Sequence, residues 1–125
     1  MMTRINFEAF VIARLNDAGF SAFADVPDGE LVAKPSRFVT VEQTSGSTDG
    51  VAITTFTLAI QSWAPSRSEA SQLAAEVDVA VFGIVDNSNP ITRINRTSAY
   101  NFPTSQGEPR YQALYEMTAH LSKED

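Results

Sequence analysis

One stretch of strict alternation constrains the fold of this chain more than any other feature. Across residues 52–63, large apolar side chains alternate with small or polar ones, and the apolar positions include Phe56, Leu58 and Ile60. A period of two residues is typical of a β-strand that buries one of its faces. The β-branched residues that are common in this stretch favour the same structure. The sequence therefore predicts a sheet with one buried face.

Two other segments have the period of a helix. Apolar residues recur every three or four positions across residues 5–18, and Gly19 follows where a left-handed residue often ends a helix. A second helix is expected after Ser66, because Ser66 and Glu69 have the spacing of a capping box. Turn-forming residues at 86–90 are expected to end it. Its apolar stripe consists of Ala70, Leu73, Ala74, Val77, Val81 and Ile84.

Further strands are expected at residues 20–26, 38–44, 91–99 and 110–121, with polar connections at 45–50 and 100–109. The resulting order α-β-β-β-α-β-β predicts a single α+β domain over residues 1–125. It is expected to have an antiparallel or mixed sheet of about five strands, with both helices packed on one face. A parallel doubly wound fold needs regular alternation of strands and helices, which this order lacks.

Composition limits the classes of function. The chain has 125 residues and carries 9 Lys+Arg against 15 Asp+Glu, for a net charge of -6. A protein that coats duplex DNA usually has a basic face, so nucleic-acid binding is disfavoured as the main task. The absence of cysteine excludes disulfides and thiolate metal sites, and it is most easily reconciled with the cytosol. Because we find no signal-like apolar core and no apolar stretch of membrane length, we expect an intracellular protein with no membrane partner.

Residues typical of catalytic and metal sites are sparse. His120 is the only histidine, and we expect it on the surface because no metal-ligand spacing accompanies it. No Gly-x-Ser-x-Gly motif is present, and isolated loop glycines do not make a phosphate cradle. Those glycines are Gly46, Gly50 and Gly107. Three acidic residues lack the spacing of a calcium loop and are expected in a solvated turn, namely Asp25, Asp28 and Glu30. We therefore expect no enzymatic activity, cofactor or metal.

Several aromatic and arginine side chains have alternative roles. Trp63, where a strand meets a helix, either caps the core or anchors a subunit interface, in which Trp is enriched. Three aromatic residues that alternate on the predicted strands are expected in the core, namely Phe56, Tyr111 and Tyr115. Three arginines are expected to cluster near the last loop, either as ion-pair partners of a neighbouring subunit or as a solvated edge. They are Arg93, Arg96 and Arg110.

Short motifs follow one another in a characteristic order along the chain. Residues 34–41 are Lys-Pro-Ser-Arg-Phe-Val-Thr-Val, and residues 61–64 are Gln-Ser-Trp-Ala. Later come Asn-Phe-Pro at 101–103 and Gly-Glu-Pro-Arg-Tyr-Gln-Ala at 107–113. This order, which extends over residues 7–121, resembles the tail terminator proteins of long-tailed bacteriophages, above all those of actinobacterial phages and prophages. These proteins are also called tail completion or tail-to-head joining proteins.

The resemblance implies a structural protein of the virion and not a catalyst. Such proteins have an α+β fold and assemble as a six-membered ring on the end of the tail tube. The ring stops tube growth and presents a surface to the head connector. The implied partners are further copies of the chain, the major tail-tube protein and a connector or stopper protein, with DNA only as cargo through the lumen. The implied location is the tail-head junction of the virion, after assembly in the cytoplasm of the bacterial host.

The resemblance brings no catalytic residues, so the candidate site is an interface. Binding residues tend to lie on loops that a rigid scaffold positions. The candidate contact residues are Asp49, Trp63, Arg96, Tyr100, Phe102, Arg110 and Tyr111. Phe102, an aromatic in a polar loop, either folds back on its own chain or meets a partner. The competing hypotheses are another neck or head-closure component, a small α+β ligand-binding domain and, third, an enzyme.

Overall fold

The computed structural model describes residues 6–29, 34–48, 53–87 and 90–120. Within these ranges it contains two helices and five strands. In chain order they are α1 (Phe7–Asp17), β1 (Ala22–Phe23), β2 (Phe38–Thr48), β3 (Ile53–Trp63), α2 (Arg67–Asn87), β4 (Ile91–Asn101) and β5 (Arg110–His120). The predicted α+β fold and its element order are confirmed.

The strands form one mixed sheet in the order β1-β2-β3-β5-β4. β1 pairs with β2 in parallel, and every other neighbouring pair is antiparallel. α1 contacts β1 and β2, α2 contacts β3, β4 and β5, and the two helices contact each other. The helices therefore form a single layer on one face of the sheet, as predicted.

The main core lies between the sheet and the helix layer. Phe56, Leu58 and Ile60 are each exposed by 2% or less, which confirms the alternation predicted for β3. The ring of Phe7 from α1 stacks on Phe56, with 4.4 Å between the centroids. Burial of one such apolar side chain contributes about 1.5–3 kcal/mol to stability. Leu73, Val77, Val81 and Ile84 of the stripe predicted for α2 also belong to this core, whereas Ala74 is half-buried.

The helix ends follow the capping chemistry of the sequence. α1 begins after Asn6, whose side chain accepts a 3.0 Å hydrogen bond from the backbone of Ala9. Gly19 follows its end with a φ of 100°, the left-handed conformation predicted for it. Before α2, the hydroxyl of Ser66 accepts from the Glu69 backbone N–H at 3.2 Å and donates to the Glu69 carboxylate at 2.9 Å. Asn6 and Ser66 thus each satisfy a backbone N–H that the first turn of a helix leaves without a partner.

β1 is much shorter than the strand predicted at residues 20–26. Its two residues pair with Val39 and Thr40. The backbone N–H and carbonyl of Ala22 are hydrogen-bonded to the side chain of Asn16 in α1. The Asn16 amide oxygen accepts from the Ala22 N–H at 2.8 Å, and its amide nitrogen donates to the Ala22 carbonyl at 3.1 Å. A side chain thus takes the place of a further strand, which is one way to close a sheet edge.

β2 and β4 are longer than predicted. β2 continues through Thr48, so the loop predicted at 45–50 is wrong for residues 45–48, and Gly46 lies in a strand. A β-bulge between Gln43 and Ser45 shifts the register at this point. β4 continues to Asn101, which shortens the last connection to residues 102–109. Polar, turn-forming residues adopt strand conformation here because pairing with a neighbouring strand outweighs their weak propensity.

Candidate interaction surface

A row of aromatic and cationic side chains crosses the helix-free face of the sheet at one end. Strand register places Phe38 beside Trp63, and Trp63 beside Arg110. The rings of Phe38 and Trp63 stack with 5.3 Å between centroids and an interplanar angle of 13°. The guanidinium carbon of Arg110 lies 5.0 Å from the Trp63 ring and 4.6 Å from the Phe102 ring. We call these four residues, together with Tyr100, the aromatic row.

The indole of Trp63 anchors this row. Trp63 is only 7% exposed, and its Nε1–H donates a 3.1 Å hydrogen bond to the Thr40 hydroxyl. Arg110 covers the ring from the other side and donates through Nε to the Phe102 carbonyl at 2.8 Å. A buried Trp requires a partner for its N–H, and a guanidinium on an aromatic face contributes about 0.5–2 kcal/mol. Arg110 is therefore held in one position by two rings and a carbonyl.

A second row, directly beside the first, is made of hydrogen-bonded polar side chains. Thr40 donates to the Gln61 amide oxygen at 3.0 Å, and Gln61 donates to the Gln112 amide oxygen at 2.6 Å. Gln112 in turn donates to the Tyr100 hydroxyl at 2.6 Å. We call Thr40, Gln61, Gln112 and Tyr100 the polar row. It crosses β2, β3, β5 and β4 in their order in the sheet.

The aromatic row and the polar row contact each other at both ends. Trp63 donates to Thr40 at one end, and the rings of Tyr100 and Phe102 meet edge to face at 5.6 Å at the other. Tyr100 is 39% exposed and Phe102 is 41% exposed, in contrast to the buried Trp63. The surface is thus anchored in the middle of the sheet and open at the β4 edge.

Phe102 combines the two alternatives expected for it. Its backbone N–H donates to the Arg110 carbonyl at 2.8 Å, and its ring lies against Arg110 and Tyr100. The ring therefore folds back on its own chain and nevertheless keeps 41% of its surface exposed. An aromatic side chain held in this way is available for contact at little further entropic cost.

A groove of about 370 Å³ adjoins the buried end of the aromatic row. Its floor includes Phe38 and Trp63, and its walls include Lys34 and the Glu108–Pro109 part of the last loop. The Lys34 ammonium lies 5.9 Å from the Phe38 ring centroid. The aromatic row is thus flanked by a cation at each end of its buried part.

Arg96 and Tyr111 face the opposite side of the sheet, toward α2. Arg96 forms an ion pair with Asp78 at 3.2 Å, and the hydroxyl of the buried Tyr115 donates to the same Asp78 oxygen at 2.7 Å. Burial, followed by the neighbouring Asp78, raises the pKa of the Tyr115 phenol. Hydrogen bonding to Arg67 and then to Ser71 lowers the pKa of the Tyr111 phenol.

The seven candidate contact residues therefore divide into groups. Trp63, Tyr100, Phe102 and Arg110 meet in the aromatic row on the helix-free face. Arg96 and Tyr111 belong to the helix side, and Asp49 lies outside the described residues. Among the aromatic residues expected in the core, Phe56 and Tyr115 are buried, whereas Tyr111 is half-buried at the side of α2.

The predicted cluster of three arginines is wrong. β4 pairs antiparallel along the whole of β5, so Arg93 lies opposite Thr118, near the end of β5 that is far from Arg110. Arg96 lies opposite Tyr115 and faces the helices, whereas Arg110 is on the other face. Closeness in sequence to one loop does not bring these side chains together because strand pairing separates them.

Other sequence expectations concern metals and phosphates. His120 is exposed, and Asp25 and Asp28 are exposed after β1, whereas Glu30 and Gly50 lie outside the described residues. Gly107 lies in the last loop, as predicted, with a φ of 84°. Among the described residues, no three His, Cys, Asp or Glu side chains come together in a way that could hold a metal ion.

The polar row is the part of this surface that sequence reasoning missed. Thr40, Gln61 and Gln112 lie on three strands, and only the register of those strands aligns them. The sequence contains a weak signal for this row. Gln61 and Gln112 are long polar residues within predicted strands, and the residues next to them in sequence are apolar, aromatic or small.

No protein-family model matches the chain, and no curated protein is similar to it in sequence. In the part of the chain that the structure describes, neither helix combines the length and apolar character needed to cross a membrane.

Proposed function

We propose that this protein is a structural component of a phage neck, which caps the tail tube as a ring, ends tube growth and joins the tail to the head connector. One observation carries the proposal beyond the resemblance. Four of the seven candidate contact residues lie together in a single surface, namely Trp63, Tyr100, Phe102 and Arg110.

The composition of this surface suits a protein partner. Aromatic residues and Arg dominate the binding energy of protein interfaces. The hydrogen bonds of the polar row hold Tyr100 in place, and Arg110 holds Phe102. Association with a preorganised surface loses less side-chain entropy than association with mobile side chains. We assign this surface to the contact with the tail-tube protein or the connector.

The charge of the chain is compatible with DNA as cargo. Each copy carries a net charge of -6, so a ring of copies repels the phosphate backbone on average. DNA then passes the channel without being held by it. Sub-micromolar binding of DNA by the assembled ring at low salt would contradict this part of the proposal.

Deletion of the gene from the phage or prophage that encodes it tests the proposal directly. We expect electron microscopy to show tubes of uncontrolled length and heads without tails, and we expect the wild-type gene supplied in trans to restore joined particles. Normal tails in the deletion strain would refute the proposal. The adjacent reading frames provide an independent check, since we expect a major tail-tube gene immediately downstream and connector genes upstream.

A small ligand-binding domain is the alternative from another class, and the 370 Å³ groove beside Trp63 is its supporting observation. Ligand pockets commonly have volumes of about 300–1,000 Å³. Trp63 is the only Trp of the chain, so its fluorescence reports directly on occupancy of the groove. A protein that stays monomeric at high concentration and whose Trp fluorescence responds to a small molecule would favour this alternative.

A further inference from the structure

The flank of the molecule at β1 carries an exposed apolar side chain between acids. After β1, residues 24–27 run beside α1, and Val26 is 44% exposed there. Asp25 and Asp28 on either side of it are exposed as well. β1 is the terminal strand of the sheet on this side. This flank therefore presents an exposed apolar side chain, which lines a shallow groove against α1 and has an acid on either side.

The opposite flank contains a cleft of about 180 Å³ between α2 and the strands β4 and β5. Half of the residues that line it are small, namely Ser71, Ala74, Ala75, Ala99 and Ala113. The other half are larger and include Asp78. Arg96 and Tyr111 stand at its rim, and β4 is the terminal strand of the sheet on this side.

The rim of this cleft has guanidinium groups with capacity for a further carboxylate. Arg96 uses Nη1 on Asp78, its side chain is 45% exposed, and a guanidinium has five N–H donors. Arg67 is exposed at the start of α2, where it interacts with Tyr111. The two arginines outnumber the carboxylate of Asp78 at the cleft, so the charge of the cleft is complementary to the acids beside Val26.

The two flanks lie at opposite ends of the strand order, and each includes one of the two helices. A contact between two different flanks is heterologous, and repetition of such a contact closes a ring when the rotation allows it. An apolar cavity of about 150 Å³ holds a benzene molecule. The 180 Å³ cleft therefore has room for the branched side chain of a valine.

We infer that Val26 of one copy inserts into the alanine-lined cleft between α2 and β4 of the next copy, where Asp25 and Asp28 approach Arg67 and Arg96. The inference rests on the proposed function, because it specifies how copies of the chain contact each other in the ring. It assigns the helix layer to contacts between copies and leaves the aromatic row for other partners.

Cross-linking tests the contact with little background, because the chain has no cysteine of its own. One variant carries Val26→Cys, and a second carries Ala75→Cys or Ala99→Cys, on the two walls of the cleft. Under mild oxidation we expect a mixture of the two to give disulfide-linked heterodimers, and each variant alone to remain uncross-linked. A chain with both substitutions should give a ladder that ends at six copies. The matched control pairs Val26→Cys with Ser105→Cys, an exposed site in the last loop.

Charge exchange between exposed residues provides a second measurement. We expect Asp25→Arg to weaken self-association at least about tenfold, since it places like charges together. Arg67→Asp in the same chain should restore most of that loss. Sedimentation velocity over a concentration series gives both values.

The outcomes separate the inference from the proposed function. Rings of six that show no more Val26–cleft cross-linking than the Ser105 control would overturn the inference alone. A ladder that continues past six, or stops before it, would retain the contact and overturn the six-membered ring. A wild-type chain that does not associate, together with cysteine variants that do not cross-link, in the presence of assembled tail tubes as well as alone, would overturn both.

Discussion

The guanidinium carbon of Arg110 lies 5.0 Å from the centre of the Trp63 ring, and this contact joins β5 to β3 on the helix-free face of the sheet. Arg110 also lies against Phe102, so it connects the buried indole of Trp63 to the exposed ring of Phe102. An arginine near a loop is commonly regarded as a charge for a partner, yet here it first supports the surface of its own chain.

Arg110→Ala should therefore destabilise the protein although the residue is half-exposed. We expect a loss of about 1–2 kcal/mol in the free energy of unfolding, because the Trp63 and Phe102 rings lose a cation–π contact and Trp63 becomes more exposed to water. Urea unfolding monitored by the fluorescence of Trp63 measures it. Arg93→Ala is the matched control, since Arg93 is exposed on β4, and an equal loss there would contradict the role of Arg110.

Gln112→Leu should break the polar row in its middle. The change keeps side-chain size but removes the acceptor of Gln61 and the donor to Tyr100, so we expect a loss of about 1–3 kcal/mol. Equilibrium urea unfolding gives the value. Gln106→Leu in the last loop should change stability by less than about 0.5 kcal/mol, because that side chain is exposed. A similar loss in both variants would show that the polar row contributes nothing specific.

More of the fold than of the interaction surface could be predicted from the sequence. Periodicity identified both helices and the central strand, and the capping residues Ser66 and Gly19 located helix ends, because these signals are local. The surface depends on register. Nothing in the sequence around Thr40 or Gln112 indicates that Gln61 lies between them, and only pairing with β3 brings the three together. The misplaced arginine cluster has the same origin.

Replacement of two glycines by alanine should change the stability of the protein in opposite directions. Gly19→Ala forces a side chain into a φ of 100°, so we expect a loss of about 1–2 kcal/mol even though no atom lies within 4 Å of the new Cβ. Gly83→Ala within α2 should stabilise the protein by about 0.5–1 kcal/mol, because alanine favours the helix and its Cβ also meets no atom within 4 Å. Thermal unfolding followed by circular dichroism measures both. Equal effects of the two changes would contradict the conformational argument.

Tyr115 should make stability decrease at alkaline pH. Burial raises its pKa in the folded protein, so as pH increases the unfolded chain, with a tyrosine pKa of about 10, loses the proton first. The raised pKa of Tyr115 contributes fully to the free energy of unfolding below about pH 10. Above that pH the contribution decreases by up to about 1.4 kcal/mol per pH unit. Tyr115→Phe should flatten this part of the stability profile, measured by urea unfolding between pH 8 and pH 11. A variant with the same alkaline slope as the wild type would refute the assignment.

Phe102→Ala should impair function while leaving the fold intact. The ring is 41% exposed and outside the main core, so we expect less than about 1 kcal/mol of lost stability. If the aromatic row contacts the tube or the connector, removal of its most exposed ring should reduce joined particles at least about tenfold, since truncation of an aromatic interface residue commonly costs more than 1 kcal/mol. Complementation of the deletion strain with each variant, followed by plaque counts and electron microscopy, measures this effect. Arg93→Ala is the control, because Arg93 is exposed on β4 far from Arg110 and belongs to neither row. Joining at the wild-type level with Phe102→Ala would remove the aromatic row from the interface, whatever the oligomeric state of the protein.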